Sequence, residues 1–302
     1  MRVELDPMLN PIAVSRAFLR LSSRLALRWL GLWLLLLAAG SGRGSEWKLV
    51  WSDEFDKPGL PDPGKWGYET GFVRNNEAQY YTRERKENAR VEDGMLVIEA
   101  RKEQFKNPDY DANAAAKGRG QGRRGREWAQ YTSASLTTRG KGSWTYGRIE
   151  VRAKLPKGRG TWPAIWMLGA DRAAGWPACG EIDIMEEVGY EPGVVQAHIH
   201  TAKYNHLKNT SKGERITIAD ASEAFHVYAV QWDKEQMDFY VDDKKYFTYR
   251  NEGSGSGAWP FDKDQYLILN LAIGGSWGGA KGIDDSIFPQ RFYIDYVRVY
   301  QR

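Results

Sequence analysis

Short apolar stretches alternate with polar punctuation along most of this chain, and the alternation predicts β-strands. The stretches are rich in β-branched and aromatic residues and are separated by Gly, Pro, Asn and Asp. They fall at residues 48–51, 95–100, 133–138, 146–153, 194–200, 228–233, 237–241, 266–273 and 292–300. Because no helical repeat lies between them, the pattern argues against a βαβ architecture. It predicts an all-β sandwich of two sheets packed face to face.

The N-terminal region follows a different pattern. Four arginines between Arg16 and Arg28 precede an apolar run of eleven residues, Trp29 to Ala39, and mostly small residues follow up to Ser45. This is the layout of a secretory signal peptide, and the run is too short to span a membrane comfortably. We expect cleavage and secretion without stable membrane association. An uncleaved amphipathic or signal-anchor helix is the alternative.

Removing residues 1–44 changes the electrostatics of the chain. That segment contains six Arg and two acidic residues, a net charge of +4, which equals the formal net charge of the whole chain. The domain at residues 45–302 is therefore close to neutral, and its charge gives no reason to expect a nucleic-acid partner. Cys179 is the only cysteine, so no intramolecular disulfide can form and the core must stabilise the domain. We expect a monomer.

Three carboxylates fall within six residues of otherwise apolar, β-prone sequence, E-I-D-I-M-E at 181–186. In a plain strand Glu181 and Asp183 share one face and Glu186 points to the other. A one-residue β-bulge around Ile184 or Met185 would return Glu186 to the first face. The two glutamates could then approach the roughly 5–5.5 Å separation of a retaining glycosidase. An acidic outer face on a half-exposed strand is the alternative.

By the same parity, Glu187 should lie on the opposite face from the three acids, as a solvent-facing or structural residue. Tryptophans surround the acids in the sequence, at Trp162, Trp166 and Trp176. Flat aromatic faces are what sugar rings stack on, so acids among indoles indicate a carbohydrate cleft, although any one Trp could instead belong to the core.

At these residues the chain resembles glycoside hydrolase family 16, specifically its laminarinase-like (endo-1,3-β-glucanase) branch, whose signature is E-I-D-I-M-E. Further matching blocks follow in family order at residues 51–56, 75–82, 160–167, 225–232, 270–277 and 295–300. Roughly residues 47–302 are covered. The resemblance implies a concanavalin A-like jelly roll of two curved antiparallel sheets with an open substrate cleft.

The resemblance also implies roles for the acids and for the binding residues. Glu181 would be the nucleophile and Glu186 the acid/base, while Asp183 would hydrogen-bond the nucleophile and separate their titrations. The candidate substrate-binding residues are Asn75, Trp162, Trp166, Trp176, His200 and Trp277. We expect His200 to face Glu186, the alternative being a buried neutral histidine bonded to backbone, and we expect His206 to be a loop residue.

No cofactor is expected for the chemistry. Members of the family often carry one structural Ca²⁺ on the convex side, and oxygen ligands are what Ca²⁺ requires. By position Glu54, the carbonyl of Gly94 and Asp295 match that site, although each is also suited to a turn or a salt bridge. No His/Cys cluster suggests zinc.

The main departure from the family is the segment at residues 117–126, in which five positive charges alternate with glycine. It reads either as a solvated loop or as a rim that contacts anions, since guanidinium groups match sulfate and carboxylate. The second interpretation would shift the substrate toward a sulfated galactan or another acidic glycan.

Taken together, the sequence predicts a secreted retaining endo-glycosidase that acts on internal β-1,3 linkages of β-glucan. Mixed-linkage β-1,3-1,4-glucan or a sulfated marine galactan are the alternative substrates, and transglycosylation is a possible variant of the reaction. The alternative from another class is a non-catalytic β-glucan-binding lectin, which would have no need of all three acids.

Overall fold

In the described parts of the chain, residues 46–113 and 125–302 of this computed structural model, the regular structure consists mainly of β-strands. The strands are β1 (Lys48–Asp53), β2 (Gly67–Glu69), β3 (Gln79–Tyr81), β4 (Ala89–Glu92), β5 (Met95–Lys106), β6 (Trp128–Ser133), β7 (Ser135–Thr137), β8 (Gly147–Lys154), β9 (Thr161–Gly169), β10 (Glu181–Glu186), β11 (Val194–His200), β12 (Lys212–Thr217), β13 (His226–Trp232), β14 (Gln236–Val241), β15 (Lys244–Arg250), β16 (Gln265–Ile273) and β17 (Gln290–Gln301). The signal peptide predicted at 1–44 and residues 117–124 of the basic segment lie outside the described residues.

The strands form two sheets. The larger has the order β15-β14-β13-β8-β17-β5-β6-β3, with β1 added beside β17 and β4 beside β5. The smaller has the order β12-β11-β10-β9-β16-β7-β2. The pairings between these strands are antiparallel except that of β3 with β6. Strands distant in sequence, such as β9 and β16, are neighbours, as in jelly rolls.

The core lies between the two sheets and draws on both. Strand β8 alternates buried and half-buried positions, which is the signature of a sheet with one face in the core. In contrast, every residue of β16 is buried. One of its faces packs in the core, and on the other face Tyr266 and Ile268 pack against Trp166 and its neighbours on β9. The predicted all-β sandwich is confirmed.

The nine predicted stretches all overlap observed strands. The nine stretches do not include β2, β3, β4, β9, β10, β12 or β15, although the motif at 181–186 places a strand at β10. Among residues 46–113 and 125–302, no helix has the length and apolar character needed to cross a membrane.

Strand β10 contains the predicted bulge. Asp183 pairs with Trp166 of β9 and Glu186 pairs with Ala164, so three steps along β10 match two steps along its neighbour. The register against β11 shifts in the same place. Glu181, Asp183 and Glu186 therefore share the outer face of the smaller sheet, as the spacing predicted.

The opposite face of β10 is buried in the sandwich. The consecutive residues Ile184 and Met185 both lie in the core with no exposed surface, as expected where a bulge sets two residues opposite one on the neighbouring strand. Glu187 directly after the strand is also buried, at 1% exposure. The predicted parity of Glu187 is confirmed, but its solvent-facing reading is wrong because the second sheet covers this face.

Candidate active site

The outer face of the smaller sheet is the floor of a cleft of about 990 Å³. Strands β9, β10, β11 and β16 supply its centre, and the loops around residues 73–77, 176, 206–207 and 276–277 supply its walls. The lining includes the three acids and all six candidate binding residues, Asn75, Trp162, Trp166, Trp176, His200 and Trp277. The fold thus brings every predicted cleft residue to one place.

Each of the two glutamates accepts a hydrogen bond from an indole. Trp176 Nε1 donates to Glu181 Oε2 at 2.8 Å, and Trp162 Nε1 donates to Glu186 Oε1 at 3.0 Å. A hydrogen bond donated to a carboxylate favours its charged form. The sequence suggested these tryptophans as stacking platforms, and the structure adds that each one orients a carboxylate.

Burial raises the pKa of all three acids above their ordinary values. For both glutamates the negative charge of Asp183 raises the pKa further, because like charges oppose ionisation. His200 and the indole donors lower the pKa of the glutamates. For Glu181 the effect of His200 is larger than that of the hydrogen bond from Trp176. The site therefore holds exchangeable protons close to neutral pH, which general acid–base chemistry needs.

His200 stands at the Glu181 end of the site. It is the cross-strand partner of Glu181 on β11, and its Nε2 lies 3.7 Å from Glu181 Oε1 and 3.3 Å from Asp183 Oδ2. The expectation that His200 faces Glu186 is wrong, because the register across β10 and β11 sets it opposite the first acid. Its Nδ1 has no hydrogen-bond partner among the described residues, so the backbone-bonded alternative is also excluded.

His206 begins a short 3₁₀ turn, His206–Lys208, so it is a loop residue as expected. Its ring nevertheless packs in the cleft wall. The ring centroid lies 5.1 Å from that of His200 and 5.2 Å from that of Trp176. The three rings thus form one cluster, in which Trp176 and His200 contact Glu181.

Two loops join at the other end of the cleft. Asn75 has φ +55°, a left-handed conformation that asparagine tolerates better than most residues, and its carbonyl accepts a hydrogen bond from Ser276 N at 2.8 Å. The next residue, Trp277, packs edge-to-face on Trp162 with centroids 5.3 Å apart. Asn75 and Trp277 both line the cleft.

Trp166 differs from the other tryptophans of the cleft. Its Nε1 donates to Asn270 Oδ1 at 2.7 Å, and the guanidinium of Arg74 lies 4.8 Å from its ring centroid. Arg74 in turn pairs with Glu69. The ring face under Arg74 is not free to stack on a sugar, so the simple platform reading of Trp166 is wrong for that face.

Several residues that line the cleft were not predicted from the sequence as functional residues. They are Glu69, Arg74, Glu77, His198 and Asn270. Only Asn270 could have been recognised from the sequence, because a polar amide in the middle of the apolar strand β16 needs hydrogen-bond partners. It finds them in Trp166 and in Tyr81, whose hydroxyl accepts from Asn270 Nδ2 at 3.0 Å.

The predicted Ca²⁺ ligands lie on the larger sheet and its loops, away from the cleft. Both carboxylates have arginine partners. Arg298 donates to Glu54 at 2.8 and 3.0 Å, and Arg152 donates to Asp295 at 2.7 Å. Gly94 forms a turn with φ +74°. These contacts match the salt-bridge and turn alternatives. To bind Ca²⁺, Glu54 and Asp295 would have to break their ion pairs with arginine. Ca²⁺ binding stays a prediction.

A comparison with protein families finds that the profile described as "Glycosyl hydrolases family 16" matches residues 76–298. The chain belongs to glycoside hydrolase family 16. This family 16 chain is therefore a glycoside hydrolase with a jelly-roll fold, and the resemblance noted from its motifs is confirmed.

Several similar proteins in this family are glucanases. A "Beta-glucanase" from Rhodothermus marinus is 49% identical over 271 residues, which is 86% of this chain and 87% of the relative. The crystal structure of the laminarinase from Rhodothermus marinus matches with a TM-score of 0.76 at 49% identity, covering 85% of this chain and 98% of that one.

A second solved structure contains an oligosaccharide. It is a mutant of SCLam, described as a non-specific endo-β-1,3(4)-glucanase and co-crystallised with 1,3-β-D-cellotriosyl-glucose. Its TM-score is 0.77 at 47% identity, covering 86% of this chain and 96% of that one.

Proposed function

We propose that this enzyme is a retaining endo-glycosidase that hydrolyses internal β-1,3 linkages of β-glucan. Glu181 attacks the anomeric carbon and forms a covalent glycosyl-enzyme, while Glu186 protonates the departing glycosidic oxygen. Glu186 then accepts a proton from water, which attacks the anomeric carbon and releases the sugar from Glu181. Oxygen and proton balance, because one water is consumed for each bond that is cleaved.

One observation carries this proposal. Two glutamates on the same face of β10 are each oriented by an indole N–H, with Asp183 buried between them. His200 beside Glu181 favours the ionised form that a nucleophile needs. Asp183 opposes the simultaneous ionisation of the two glutamates and so favours one carboxylate and one carboxylic acid.

The charges of the cleft support an uncharged glycan. Among the described lining residues, the two arginines are Arg74 and Arg215, and each is paired with a glutamate, Glu69 or Glu191. A free cation would be the strongest partner for the sulfate of a sulfated galactan. The pairing therefore favours β-glucan, and the names of the glucanase relatives point the same way.

Product analysis tests the proposal directly. The purified protein is incubated with laminarin, lichenan, agarose and carrageenan, and the products are separated by chromatography. We expect short oligosaccharides from laminarin, and the anomer formed first, read by NMR, should be β. Cleavage of lichenan at an equal rate would favour the mixed-linkage alternative, cleavage of carrageenan alone would favour the galactan, and binding without cleavage would favour the lectin.

Azide separates the two glutamates. In a Glu181→Gly variant azide occupies the space of the lost carboxylate, so we expect rescue that yields an α-glycosyl azide. In Glu186→Gly it attacks the glycosyl-enzyme and yields a β-glycosyl azide. The same anomer from both variants would contradict the assigned roles.

We also propose that the enzyme is secreted after cleavage near Ser45. The support is the basic, apolar and small-residue order of the first 45 residues. Expression of the full chain with a C-terminal tag, followed by N-terminal sequencing of the product, tests it. A product that keeps Met1 and sediments with membranes would favour the signal-anchor alternative.

A further inference from the structure

We propose that Glu181, Asp183 and His200 form an inhibitory binding site for a divalent transition-metal ion such as Zn²⁺. The three residues offer one ligand atom each, and these atoms all lie within 4.8 Å of one another. This cation site differs in place and in ligand chemistry from the predicted Ca²⁺ site on the larger sheet.

The distances suit a small cation. His200 Nε2 lies 3.3 Å from Asp183 Oδ2 and 3.7 Å from Glu181 Oε1. Ligand atoms bound tetrahedrally at about 2.0–2.2 Å from Zn²⁺ are separated by about 3.3–3.6 Å. The two pairs that include His200 are therefore within a few tenths of an ångström of these separations, and the two carboxylate oxygens lie within 4.8 Å of each other.

A second observation also points to a ligand. Asp183 is buried, at 2% exposure, and its Oδ2 has no hydrogen-bond partner among the described residues. This oxygen faces the space that Glu181 and His200 share. Trp176 holds the other oxygen of Glu181, Oε2, which leaves Oε1 turned toward His200. The protein thus presents two carboxylate oxygens and an imidazole nitrogen to a single point.

The ligand set defines the class of ion. Two carboxylates and one imidazole suit Zn²⁺ and neighbouring transition metals, whereas Ca²⁺ and Mg²⁺ prefer oxygen ligands alone. Within the described parts of the chain, His200 Nδ1 has no partner, and such partners of a ligating histidine typically contribute about 10–100-fold in affinity. We therefore expect micromolar rather than nanomolar binding.

The consequence for activity rests on the proposed function. An ion bound to Glu181 would block the nucleophile and fill the position that the anomeric carbon of the substrate would take. Zn²⁺ should then raise the KM for laminarin and leave kcat unchanged, and a chelator should reverse the effect.

The chain offers a matched control on the larger sheet. His226 Nε2 lies 3.2 Å from Asp220 and its Nδ1 lies 2.9 Å from Asp242. This cluster has the same kinds of ligand group as the proposed site, one imidazole and two carboxylates. Because its two carboxylates contact opposite nitrogens of the ring, no single ion can be bound by the histidine and both carboxylates.

Calorimetry tests the binding without reference to activity. The chelator-treated full chain is titrated with ZnCl₂ at a fixed pH, beside His200→Ala, Asp183→Asn and His226→Ala. We expect one micromolar site in the wild type, at least tenfold weaker binding in the first two variants, and unchanged binding in His226→Ala. Equal binding in wild type and His200→Ala would overturn the proposal, as would no binding to the wild type. Thermal melting checks that each variant is folded. If His200→Ala is unfolded, the comparison is made with Asp183→Asn instead.

The kinetic arm separates the two proposals. If Zn²⁺ binds with the expected loss in His200→Ala while no glucan is cleaved by the metal-free wild type, the metal site stands and the proposed function fails. If laminarin is cleaved and bound Zn²⁺ leaves its KM unchanged, the glucanase stands and the inhibitory role fails.

Discussion

The two faces of β10 both bury carboxyl groups, but they surround them differently. On the cleft face, each glutamate receives an indole N–H and shares its surroundings with Asp183 and His200. On the core face, Glu187 is hydrogen-bonded by the backbone of Gly193, and its Oε2 has no hydrogen-bond partner among the described residues.

Burial raises the pKa of the carboxyl groups on both faces. A raised pKa therefore does not identify a catalytic acid in this protein. The difference lies in access and in the side-chain donors, which together allow a proton to reach a substrate. Each of the following experiments alters a residue on one of these faces or in contact with it.

The largest effect is expected from the glutamates on the cleft face. Glu181→Gln should lower kcat on laminarin by at least about 10³-fold and Glu186→Gln by about 10²–10⁴-fold, because each removes a group that takes part in bond making or proton transfer. Glu187→Gln, the adjacent substitution on the core face, should stay within about twofold. Comparable losses in all three variants would mean that the two faces are not functionally distinct.

The second effect concerns the free energy of unfolding, and here the core face is altered. Burial raises the pKa of Glu187 to about 7 from an ordinary 4.5. A carboxyl with a raised pKa in the folded state costs stability progressively as pH rises from 4.5 to 7, because the unfolded chain loses its proton first. Glu187→Gln removes that cost, so the variant should gain up to about 3 kcal/mol over wild type at pH 8.

Urea unfolding at pH 4.5 and pH 8 measures this gain. At pH 4.5 the difference between Glu187→Gln and wild type should nearly vanish, since Glu187 is protonated in the folded protein. The acids on the cleft face titrate equally in both proteins and cancel. A gain that is the same at both pH values would show that packing, rather than charge, is responsible.

A smaller effect should distinguish the two indole donors. Trp176→Phe removes the hydrogen bond to Glu181 and should raise the pKa of Glu181, moving the acidic limb of the kcat/KM profile to higher pH. Trp162→Phe should move the alkaline limb upward through Glu186. We expect each shift to be about one pH unit with a loss of about tenfold in kcat/KM. Trp128→Phe, at an exposed strand end, is the control. If both variants moved the same limb, the assignment of the acid and the nucleophile would be wrong.

The smallest effect is expected for Tyr228 in the core. Its buried hydroxyl has no hydrogen-bond partner among the described residues, and burial together with the charge of Glu187 raises its pKa. Tyr228→Phe should therefore change the free energy of unfolding by less than about 1 kcal/mol at pH 5, as measured in urea. A loss of about 2 kcal/mol or more would reveal a hydrogen bond between the hydroxyl and Glu187, and the core face would then also supply side-chain donors.

Much of this site could be predicted from local sequence. The spacing of Glu181, Asp183 and Glu186 required a bulge, since a period of two cannot place all three on one face. The parity of Glu187 followed from the same argument. Longer strands with clear alternation, such as β8, were also found, because that alternation reflects one buried face.

The features that could not be predicted depend on register and on distant partners. The position of His200 is set by the pairing of β10 with β11, which no local pattern fixes. The indole hydrogen bonds join β10 to a neighbouring strand and to a loop. Arg74 and Glu69 are ordinary charged residues in sequence, and only the fold pairs them and brings Arg74 over Trp166.

The bulge in β10 separates the length of the strand from the geometry of the cleft. Glu186 takes the place, opposite Ala164, that the second residue after Asp183 would take in a plain strand. A chain with one residue fewer, E-x-D-x-E, would present its acids at the same three positions. The extra residue therefore adds nothing to the catalytic face. Its effect is on the core, where two apolar side chains, Ile184 and Met185, pack instead of one. Chemistry and packing can thus vary independently along one strand.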